Sequence, residues 1–555
     1  MPKILFLLLI LFLNCNLQAQ KLHLSIEGSN SSQTKTLDSI GYQKQFSIAK
    51  EIENESNRLL KQLFQNGYLE SEKSNAVKIN DSTFVVQFKL GKRISHIHIY
   101  IGDEIEDLNF SNYTVENDFL ILPITTVESF MQLQLKALEQ KGFSLANIKL
   151  ENFRKENLIL KANLVITKSE KRFLNDIVIK GYPKFPASHK RNLIRLFANK
   201  TFNQDGLQKV YKEVDEYRFV KQTQYPEILF TKDSTKIYLY LEKAKANRFD
   251  GFLGFSNEEG GKVRFNGYLD VLLHNILNSG EQFLIYWKND GQRQTSFNMG
   301  LQVPYIFKSP LGLKAELNIF KKDSTFQNTN TSIDLGYFFN YNSRLYLGYQ
   351  ATESSDIQNT NSSFISDFTN SFVTSKYEFT RFKSDDFLFP EKTAIHFTIG
   401  TGKRDSKTAS ESQFFGNLLV KQNIYLNAKN NIQLNSQNYY LNSENYIVNE
   451  LYRFGGIKSI RGFNENSLQG NFLTSLLTEY RYVLSPGLYV HSILDYAYYQ
   501  DKTSDLNDAL VGLGFGFGLL TKNGFFNLIY ANGSVRDQPI QFANSIVHIS
   551  FKSNF

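Results

Sequence analysis

The side chains that could catalyse a reaction are few, and their spacing does not suit catalysis. The eight histidines form no His-Glu-x-x-His pair, and no Gly-x-Ser-x-Gly segment occurs. His96 and His98 share one face of an expected strand, where a solvated surface is a better interpretation than a metal site. His491 and Ser492 are adjacent, so an extended strand would point them to opposite faces. We therefore expect no enzymatic activity, no metal and no cofactor.

The segment Gly512–Gly518 is the second candidate, because glycine-rich loops can bind phosphate. Its glycines recur at every second residue and no helix pattern follows, which does not fit a phosphate-binding loop. Glycines at alternate positions instead remove the side chains from one face of a strand. The carboxylate pairs Glu258-Glu259 and Asp385-Asp386 stand in turn-like surroundings, where solvated charges are the ordinary interpretation.

Composition and charge indicate a β-rich protein that does not bind nucleic acid. The 555 residues are 41% hydrophobic and include 30 Tyr and 48 Phe, which favour strands over helices. The 62 basic and 54 acidic residues give a net charge of +8 without a clustered basic stripe.

The first residues predict export from the cytoplasm. Lys3 precedes the apolar run 4–13, and the small residue Ala19 follows, so residues 1–19 are expected to be a cleaved signal peptide. Cys15 lies inside that segment, and the mature chain would then contain neither a disulfide nor a Cys-ligated metal. A lipid anchor on Cys15 is the alternative, although Asn14 stands where a small residue is expected.

Glycine usage and a repeat divide the chain into four parts after the signal peptide. Only 8 of the 33 glycines precede residue 246. Before it, helix-like segments end at Gly67 and, 75 residues later, at Gly142, and a third helix is expected over 206–220. This period predicts three α+β modules at 20–92, 93–171 and 172–245, followed by a β domain at 246–555.

Apolar and polar residues alternate along the β domain as they do in a transmembrane barrel. No segment is apolar and long enough for a spanning helix, so a membrane-embedded role would require a barrel. Glu479 and Arg481 oppose the aromatic and apolar face that carries Leu476 and Tyr480. A soluble sandwich or propeller would also alternate, but aromatic residues near the strand ends favour the membrane. About 310 residues suit roughly 16 antiparallel strands, with 14 or 18 left open. The last strand places on one face Val547, Ile549, Phe551 and Phe555.

These features together resemble the BamA and TamA superfamily, in which periplasmic polypeptide-transport-associated (POTRA) repeats precede an outer-membrane barrel. The most specific match is the segment 455–463, whose core is Ile460, Arg461, Gly462 and Phe463. It resembles the signature of that superfamily's sixth extracellular loop. The terminal Phe555 resembles the recognition signal of bacterial outer-membrane barrels. The resemblance covers nearly the whole mature chain.

The resemblance implies that Arg461 contacts acidic residues on the inner wall of the barrel. The strands 473–484 and 488–499 are expected to form a hairpin whose lumen-face acids are Glu479 and Asp495. A turn centred on Pro486 places residue 479 opposite residue 493, so Asp495 is a diagonal neighbour within reach. The simpler alternative is that these charges are ordinary polar residues of a porin lumen.

The resemblance further implies a factor that assembles or translocates outer-membrane proteins. Its expected partners are unfolded outer-membrane or secreted clients and the lipid bilayer, with periplasmic or lipoprotein accessory subunits as a further class that the resemblance allows. The expected location is the outer membrane of a Gram-negative bacterium, with the repeats in the periplasm. Two alternatives stay open, a dedicated two-partner secretion transporter and a passive porin-like channel. Three readable repeats and the lack of a plug helix before Leu22 favour general assembly over dedicated export.

Overall fold

The structure is a computed structural model of the chain. It describes residues 21–102, 108, 110, 113–198, 200–257, 263–289, 294–359, 365–383, 386, 388–407, 409–522, 524–536, 538, 541 and 545–554. The expected signal peptide with Cys15, the pair Glu258-Glu259, Asp385 and the terminal Phe555 lie outside the described residues. The chain divides into two compact units, 1–172 with 201–204, and 173–200 with 205–555.

Five α-helices are described: α1 Ser31–Ile40, α2 Ala49–Gln65, α3 Val127–Gln140, α4 Ala187–Phe197 and α5 Gln204–Asp215. Three short 3-10 helices cover Ile124–Thr126, Ile306–Lys308 and Val448–Glu450. No helix in the described part of the chain is both long and apolar enough to cross a bilayer.

The first unit contains two mixed sheets. The first sheet has the order β2-β1-β5-β3 with β4 also on β5, from β1 Leu22–Gly28, β2 Gln45–Phe46, β3 Glu72–Lys73, β4 Val77–Lys78 and β5 Thr83–Lys89. The second has the order β7-β8-β6-β10-β9, from β6 His96–Tyr100, β7 Thr114–Glu116, β8 Phe119–Pro123, β9 Asn147–Glu156 and β10 Ile159–Thr167. Each sheet packs its apolar face into a separate buried cluster with its own helices.

Glycines end the two long helices of this unit. Gly67 follows α2 and Gly142 follows α3, with φ values of 94° and 97°. A residue with a side chain is disfavoured in this left-handed conformation, so glycine is suited to both positions. The 75-residue spacing of the two glycines therefore reflects two similar helix ends.

The second unit begins with a third sheet, in the order β11-β14-β12 with β13 also on β14. Its strands are β11 Leu174–Lys180, β12 Val220–Gln222, β13 Glu227–Phe230 and β14 Thr235–Lys243. We call residues 173–200 and 205–245 module 3. The helix expected over 206–220 is shorter than predicted, because α5 ends at Asp215 and Val220 begins β12.

The same topology recurs in all three sheets. The strand pairs β1/β5, β6/β10 and β11/β14 are each parallel. Parallel neighbours require a long crossover, which the intervening helices supply. These α/β modules are POTRA-like, as the sequence predicted.

Sixteen antiparallel strands close into a barrel, which confirms the predicted number. They are β15 Arg248–Asn257, β16 Val263–His274, β17 Gln282–Asn289, β18 Gln294–Val303, β19 Leu311–Lys322, β20 Phe326–Phe338, β21 Ser343–Asp356, β22 Phe368–Phe382, β23 Glu391–Ser406, β24 Ser410–Tyr425, β25 Asn430–Asn442, β28 Phe472–Ser485, β29 Leu488–Asp501, β30 Leu506–Leu520, β31 Phe525–Val535 and β32 Ile546–Asn554. The short strands β26 Tyr452–Phe454 and β27 Leu468–Gly470 form a separate hairpin.

The barrel strands alternate between an apolar outside and a polar inside. On β20, Ile333 and Leu335 are 63% and 51% exposed, whereas Ser332 and Asp334 are buried. An outward apolar surface is unstable in water but suits a lipid environment. The alternation therefore identifies the outer face as the lipid-facing surface.

Candidate functional site

The long connection between β25 and β28, residues 443–471, crosses the lumen, and we call it loop six. Its Glu465 pairs with Lys288 on β17. Its Asn449 carbonyl oxygen accepts from the Asn328 side chain on β20 at 2.6 Å. Farther along, the Lys458 carbonyl oxygen accepts from Gln437 on β25 at 2.7 Å. The loop is therefore attached to strands around much of the barrel.

Arg461 of loop six is buried and forms ion pairs with both expected acids. Its Nε and Nη2 lie 2.8 and 2.5 Å from the two carboxylate oxygens of Asp495. Its Nη1 donates to Glu479 Oε1, and its backbone N–H donates to Asp495 Oδ2 at 3.0 Å. The structure thus brings together the three residues that the sequence singled out, with the bidentate geometry that makes such pairs strong.

Glu479 also holds a second arginine on its own strand. Arg481 Nε lies 2.7 Å from Glu479 Oε2, and its guanidinium stacks 4.5 Å from the ring centroid of Phe389. Two arginines and two carboxylates thus form one network without net charge. Removal of one partner from a buried network leaves an uncompensated charge, which costs about 3–5 kcal/mol.

The register of the hairpin β28–β29 positions the two acids. Glu479 lies opposite Ile493, and Asp495 lies opposite Leu477, so the acids are diagonal neighbours. Asp495 is two residues from Ile493 on β29, so Asp495, Ile493 and the opposite residue Glu479 share one face of the hairpin. This face is the lumen side, where Arg461 of loop six contacts both acids. The pairing is the one expected, and a bulge between Val483 and Ser485 absorbs the irregularity at the turn.

The other residues of the Arg461 motif pack around this contact. Ile460 lies in a buried apolar cluster that includes Phe454, Leu477 and Tyr499, with Phe463 at its margin. Gly462 has a φ of 87°, and a Cβ there would lie 2.2 Å from the backbone nitrogen of Gly533. A side chain at 462 would therefore meet both backbone strain and a backbone clash.

Two glycines on the wall make room for the loop backbone. Gly512 on β30 lies opposite both Asp495 and Gly533, so the three residues form a row across β29, β30 and β31. A Cβ on Gly512 would lie 2.4 Å from the carbonyl oxygen of Arg461. The predicted bare strand face is thus the surface on which residues 461 and 462 rest.

A second ion-pair cluster holds loop six at its other end, and we call it the Arg404 clamp. Arg404 on β23 is buried, and its Nη1 and Nη2 lie 2.5 Å from Glu450 of loop six and 2.8 Å from Glu411 on β24. Glu411 also accepts from the Ser443 hydroxyl at 2.9 Å. Sequence reasoning missed these residues. Arg404 and Glu411 face each other across a short turn, which was a detectable signal of a charge pair.

The junction between β15 and β32, which we call the seam, is short. Within the described residues it comprises two residue pairs, Arg248 with Asn554 and Phe249 with Ser553. The predicted C-terminal signal residues Val547, Ile549 and Phe551 are exposed on the outer face of β32.

Module 3 packs against the barrel turns that follow β16, β18 and β20 and against the end of β22. The Asn192 amide donates to the carbonyl oxygen of Ser309 at 3.0 Å, and Arg195 donates to the carbonyl oxygen of Phe338 at 3.1 Å. Glu213 accepts from the backbone of Tyr341 at 3.1 Å, and Arg218 stacks 4.4 Å from the Phe382 ring centroid. The module is thereby fixed to the first half of the barrel.

The two histidines that share an expected strand face, His96 and His98, both lie on β6. His96 is exposed on β6, with its Nδ1 3.0 Å from the Ser95 hydroxyl, and His98 is half-buried on the same strand. Among the described residues, no group of three or more His, Cys, Asp or Glu side chains is placed to hold a metal ion.

Comparison with solved structures gives matches over most of the chain. CdiB from Acinetobacter baumannii superposes with a TM-score of 0.52 at 13% identity, covering 78% of this chain and 83% of that chain. CdiB from Escherichia coli gives 0.50 at 12% identity, covering 91% and 98%. BamA from Haemophilus ducreyi lacking POTRA domains 1–3 gives 0.47 at 14%, covering 78% and 94%.

The sequence matches no protein-family model and no curated protein. The similarity therefore rests on the solved structures, and at these sequence identities it shows the fold alone. The chain has the fold of CdiB over most of its length, and this fold consists of α/β modules followed by a closed 16-stranded antiparallel β-barrel, as the sequence predicted.

Proposed function

We propose that this protein assembles or translocates other proteins at the outer membrane, without catalysing a chemical reaction. The observation that carries the proposal is the seam, where β15 and β32 share two residue pairs. By contrast, β15 and β16 share ten, and β31 and β32 share seven. The seam is thus the weakest junction next to either strand.

A short seam leaves much of each facing strand edge without strand pairing in the described part of the chain. Residues 250–257 of β15 and 546–552 of β32 do not pair with each other in the described part of the chain. Unpaired backbone groups in hydrocarbon each cost several kcal/mol. An incoming client strand can satisfy them, so the seam favours strand addition by a protein that itself must become a barrel.

The modules supply a second edge for extended clients, and we place them in the periplasm. The strand β9 ends its sheet and pairs with β10 along its inner side. Its ten residues are mostly exposed. An extended client segment can bind such an edge through backbone hydrogen bonds with little dependence on its sequence.

Dedicated export is the second candidate, because CdiB is a two-partner secretion transporter and its fold covers most of this chain. A passive channel is less well supported. Loop six is attached across the lumen, and the space that remains beside it is a cavity of about 1020 Å³ that is lined by charged side chains such as Lys314 and Glu378.

A disulfide across the seam tests the proposal. The pair F249C/S553C should cross-link β15 to β32, because directly opposed residues have suitable Cβ separations. We expect loss of client assembly under oxidising conditions and recovery on reduction. The control L335C/L347C joins two opposed outer-face residues of β20 and β21 and should leave activity unchanged. Full activity of the cross-linked seam would overturn the seam mechanism.

Depletion of the protein in its host, followed by proteomics of the outer membrane, separates the candidate functions. Broad loss of other barrels supports assembly, whereas loss of one exported protein supports dedicated secretion. An unchanged outer-membrane proteome would reject both and leave the passive channel, for which single-channel conductance is the next measurement.

A further inference from the structure

Two neighbouring turns on the module 3 side of the barrel expose large apolar side chains. The turn between β16 and β17 carries Ile276 and Leu277, which are 47% and 77% exposed. The turn between β18 and β19 carries Phe307, which is 95% exposed. Single exposed apolar residues are common on proteins, but a group of three on adjacent turns indicates a contact surface.

The second turn has a backbone that side chains disfavour. Tyr305, Phe307 and Lys308 have φ values of 57°, 53° and 59°. Left-handed conformations of residues other than glycine persist only where the surroundings hold them. Here module 3 holds them, because the Tyr305 ring lies 4.9 Å from the His189 ring and Asn192 donates to the Lys308 carbonyl oxygen at 3.3 Å.

The first turn is held in the same way. Asn275 and Asn278 have φ values of 55° and 58°. The Asn275 amide donates to the Tyr182 hydroxyl of module 3 at 2.8 Å. A Cβ on Gly280 would lie 1.9 Å from the His189 ring, so this turn also presses closely on the module. Module 3 therefore covers the Tyr305 ring and binds polar groups of both turns, but it leaves Ile276, Leu277 and Phe307 uncovered.

These side chains continue the lipid-facing surface of the barrel. Leu301 near the end of β18 and Leu313 near the start of β19 are exposed on the outer face, on either side of the turn that carries Phe307. Lys308, the residue after Phe307, adds an exposed cation to this turn. Aromatic and apolar groups next to a lysine suit the interfacial zone of a bilayer, where rings lie at the headgroup level and cations meet phosphates.

We propose that Ile276, Leu277, Phe307 and Lys308 form a membrane-interface anchor. The anchor inserts its apolar side chains among the phospholipid headgroups of the leaflet on the module 3 side, and it fixes the depth of the first half of the barrel. A phospholipid leaflet is the occupant because the surface is continuous with the lipid-facing belt and lies at the level where that belt ends.

Tryptophan fluorescence of the full chain in proteoliposomes tests this anchor. The single tryptophan, Trp287, belongs to β17, and its neighbour Tyr286 lines the lumen cavity, so Trp287 faces lipid and provides the positive control. In a W287F background, F307W and L277W each place one fluorophore in the anchor. K522W provides the matched control, on the exposed polar turn between β30 and β31 at the same end of the barrel.

Phospholipids that carry bromine near the top of the acyl chain are the quenching probe. We expect the F307W and L277W fluorophores to be quenched about twofold more strongly than the K522W fluorophore. Heat-modifiability on gels checks that each variant is folded, and L277W carries the test if F307W does not fold. Quenching of both anchor variants no stronger than that of K522W would overturn the proposal and would favour a protein partner on this surface.

Discussion

The carboxylate of Asp495 binds the main chain and the side chain of the same residue, Arg461. Asp495 Oδ2 accepts from the Arg461 backbone N–H at 3.0 Å and from its Nε at 2.8 Å. Asp495 Oδ1 accepts from Nη2 at 2.5 Å. This one contact therefore fixes both the position of loop six and the direction of the guanidinium.

Replacement of Arg461 by Ala should leave the barrel folded but release loop six. The variant loses the guanidinium, leaves Asp495 and Glu479 with fewer partners, and should lower the stability of the seated loop by about 3–5 kcal/mol. Labelling of Ser459→Cys measures this release, because Ser459 is buried in loop six and its hydroxyl has no hydrogen-bond partner in the described structure. We expect faster labelling and reduced activity.

Loss of the two carboxylates that bind Arg461 should have the same effect on loop six as loss of the arginine. Glu479→Gln together with Asp495→Asn removes both negative charges and should reproduce the Arg461→Ala result. The control Arg461→Lys keeps the backbone hydrogen bond and one positive charge, so its effect should be smaller. Normal function of the double variant beside an inactive Arg461→Ala would show that the pairing is not what activity requires.

Gly512→Ala should unseat the loop without a change of charge. The new Cβ would lie 2.4 Å from the Arg461 carbonyl oxygen, a backbone atom that cannot move without shifting the loop. Gly416→Ala is the matched control, because a Cβ on that strand glycine meets nothing within 4 Å. Labelling of Ser459→Cys should accelerate in the first variant alone, and equal rates in both would contradict the close packing described for Gly512.

The Arg404 clamp should hold loop six independently of Arg461. Glu450→Gln removes the loop's carboxylate and leaves Arg404 paired with Glu411. We expect the seated loop to be destabilised by about 1–3 kcal/mol, because Arg404 loses one charged partner and the neutral glutamine can still accept a hydrogen bond. Combined with Arg461→Ala, the effects on the labelling rate should add, because distant sites without shared partners are additive. Strong non-additivity would mean that the two ends of the loop respond as one unit.

The contact of module 3 with the barrel should respond to pH through Glu213. Burial raises the pKa of this carboxyl, with a contribution from Glu216, and the Tyr341 N–H and Arg195 oppose the rise. The folded state then holds the proton more tightly than the unfolded state, so stability falls as pH rises from about 4.5 through the raised pKa. Glu213→Gln should therefore melt at a higher temperature than the parent at neutral pH.

The difference in melting temperature between Glu213→Gln and the parent should shrink as the pH is lowered. Burial lowers the pKa of His189 to about 3, so the histidine destabilises both proteins equally as pH falls below about 6.5. Glu242→Gln removes a charge from an exposed pair with Lys221 and serves as the control. If the difference in melting temperature between Glu213→Gln and the parent stays constant from neutral pH down to about 4.5, Glu213 does not titrate as its burial requires.

Local patterns in the sequence predicted the barrel and its strand number well. Alternation on β28 separated Glu479 and Arg481 from Leu476 and Tyr480, because a half-buried strand repeats every two residues. The hairpin register followed from the turn at Pro486, and this register placed Asp495 beside Glu479.

Contacts between distant segments were beyond local patterns. The Arg404 clamp joins residues 404 and 450 through a loop that folds back into the lumen, and no period in the sequence encodes that path. The docking of Asn192 and Glu213 on barrel turns likewise depends on tertiary placement. The helix expected over 206–220 was too long because the apolar spacing of α5 continues into Phe219 and Val220, which the sheet and the barrel contact bury instead.

The placement of module 3 makes the barrel mechanically asymmetric. Its contacts described above lie on turns after β16, β18 and β20 and at the end of β22, and β16 pairs with the first strand over ten residues. A load applied to module 3 would therefore be transmitted to the β15 side of the seam, whereas β32 is reached through the opposite half of the wall. Module 3 is therefore coupled more directly to the β15 edge of the seam than to the β32 edge.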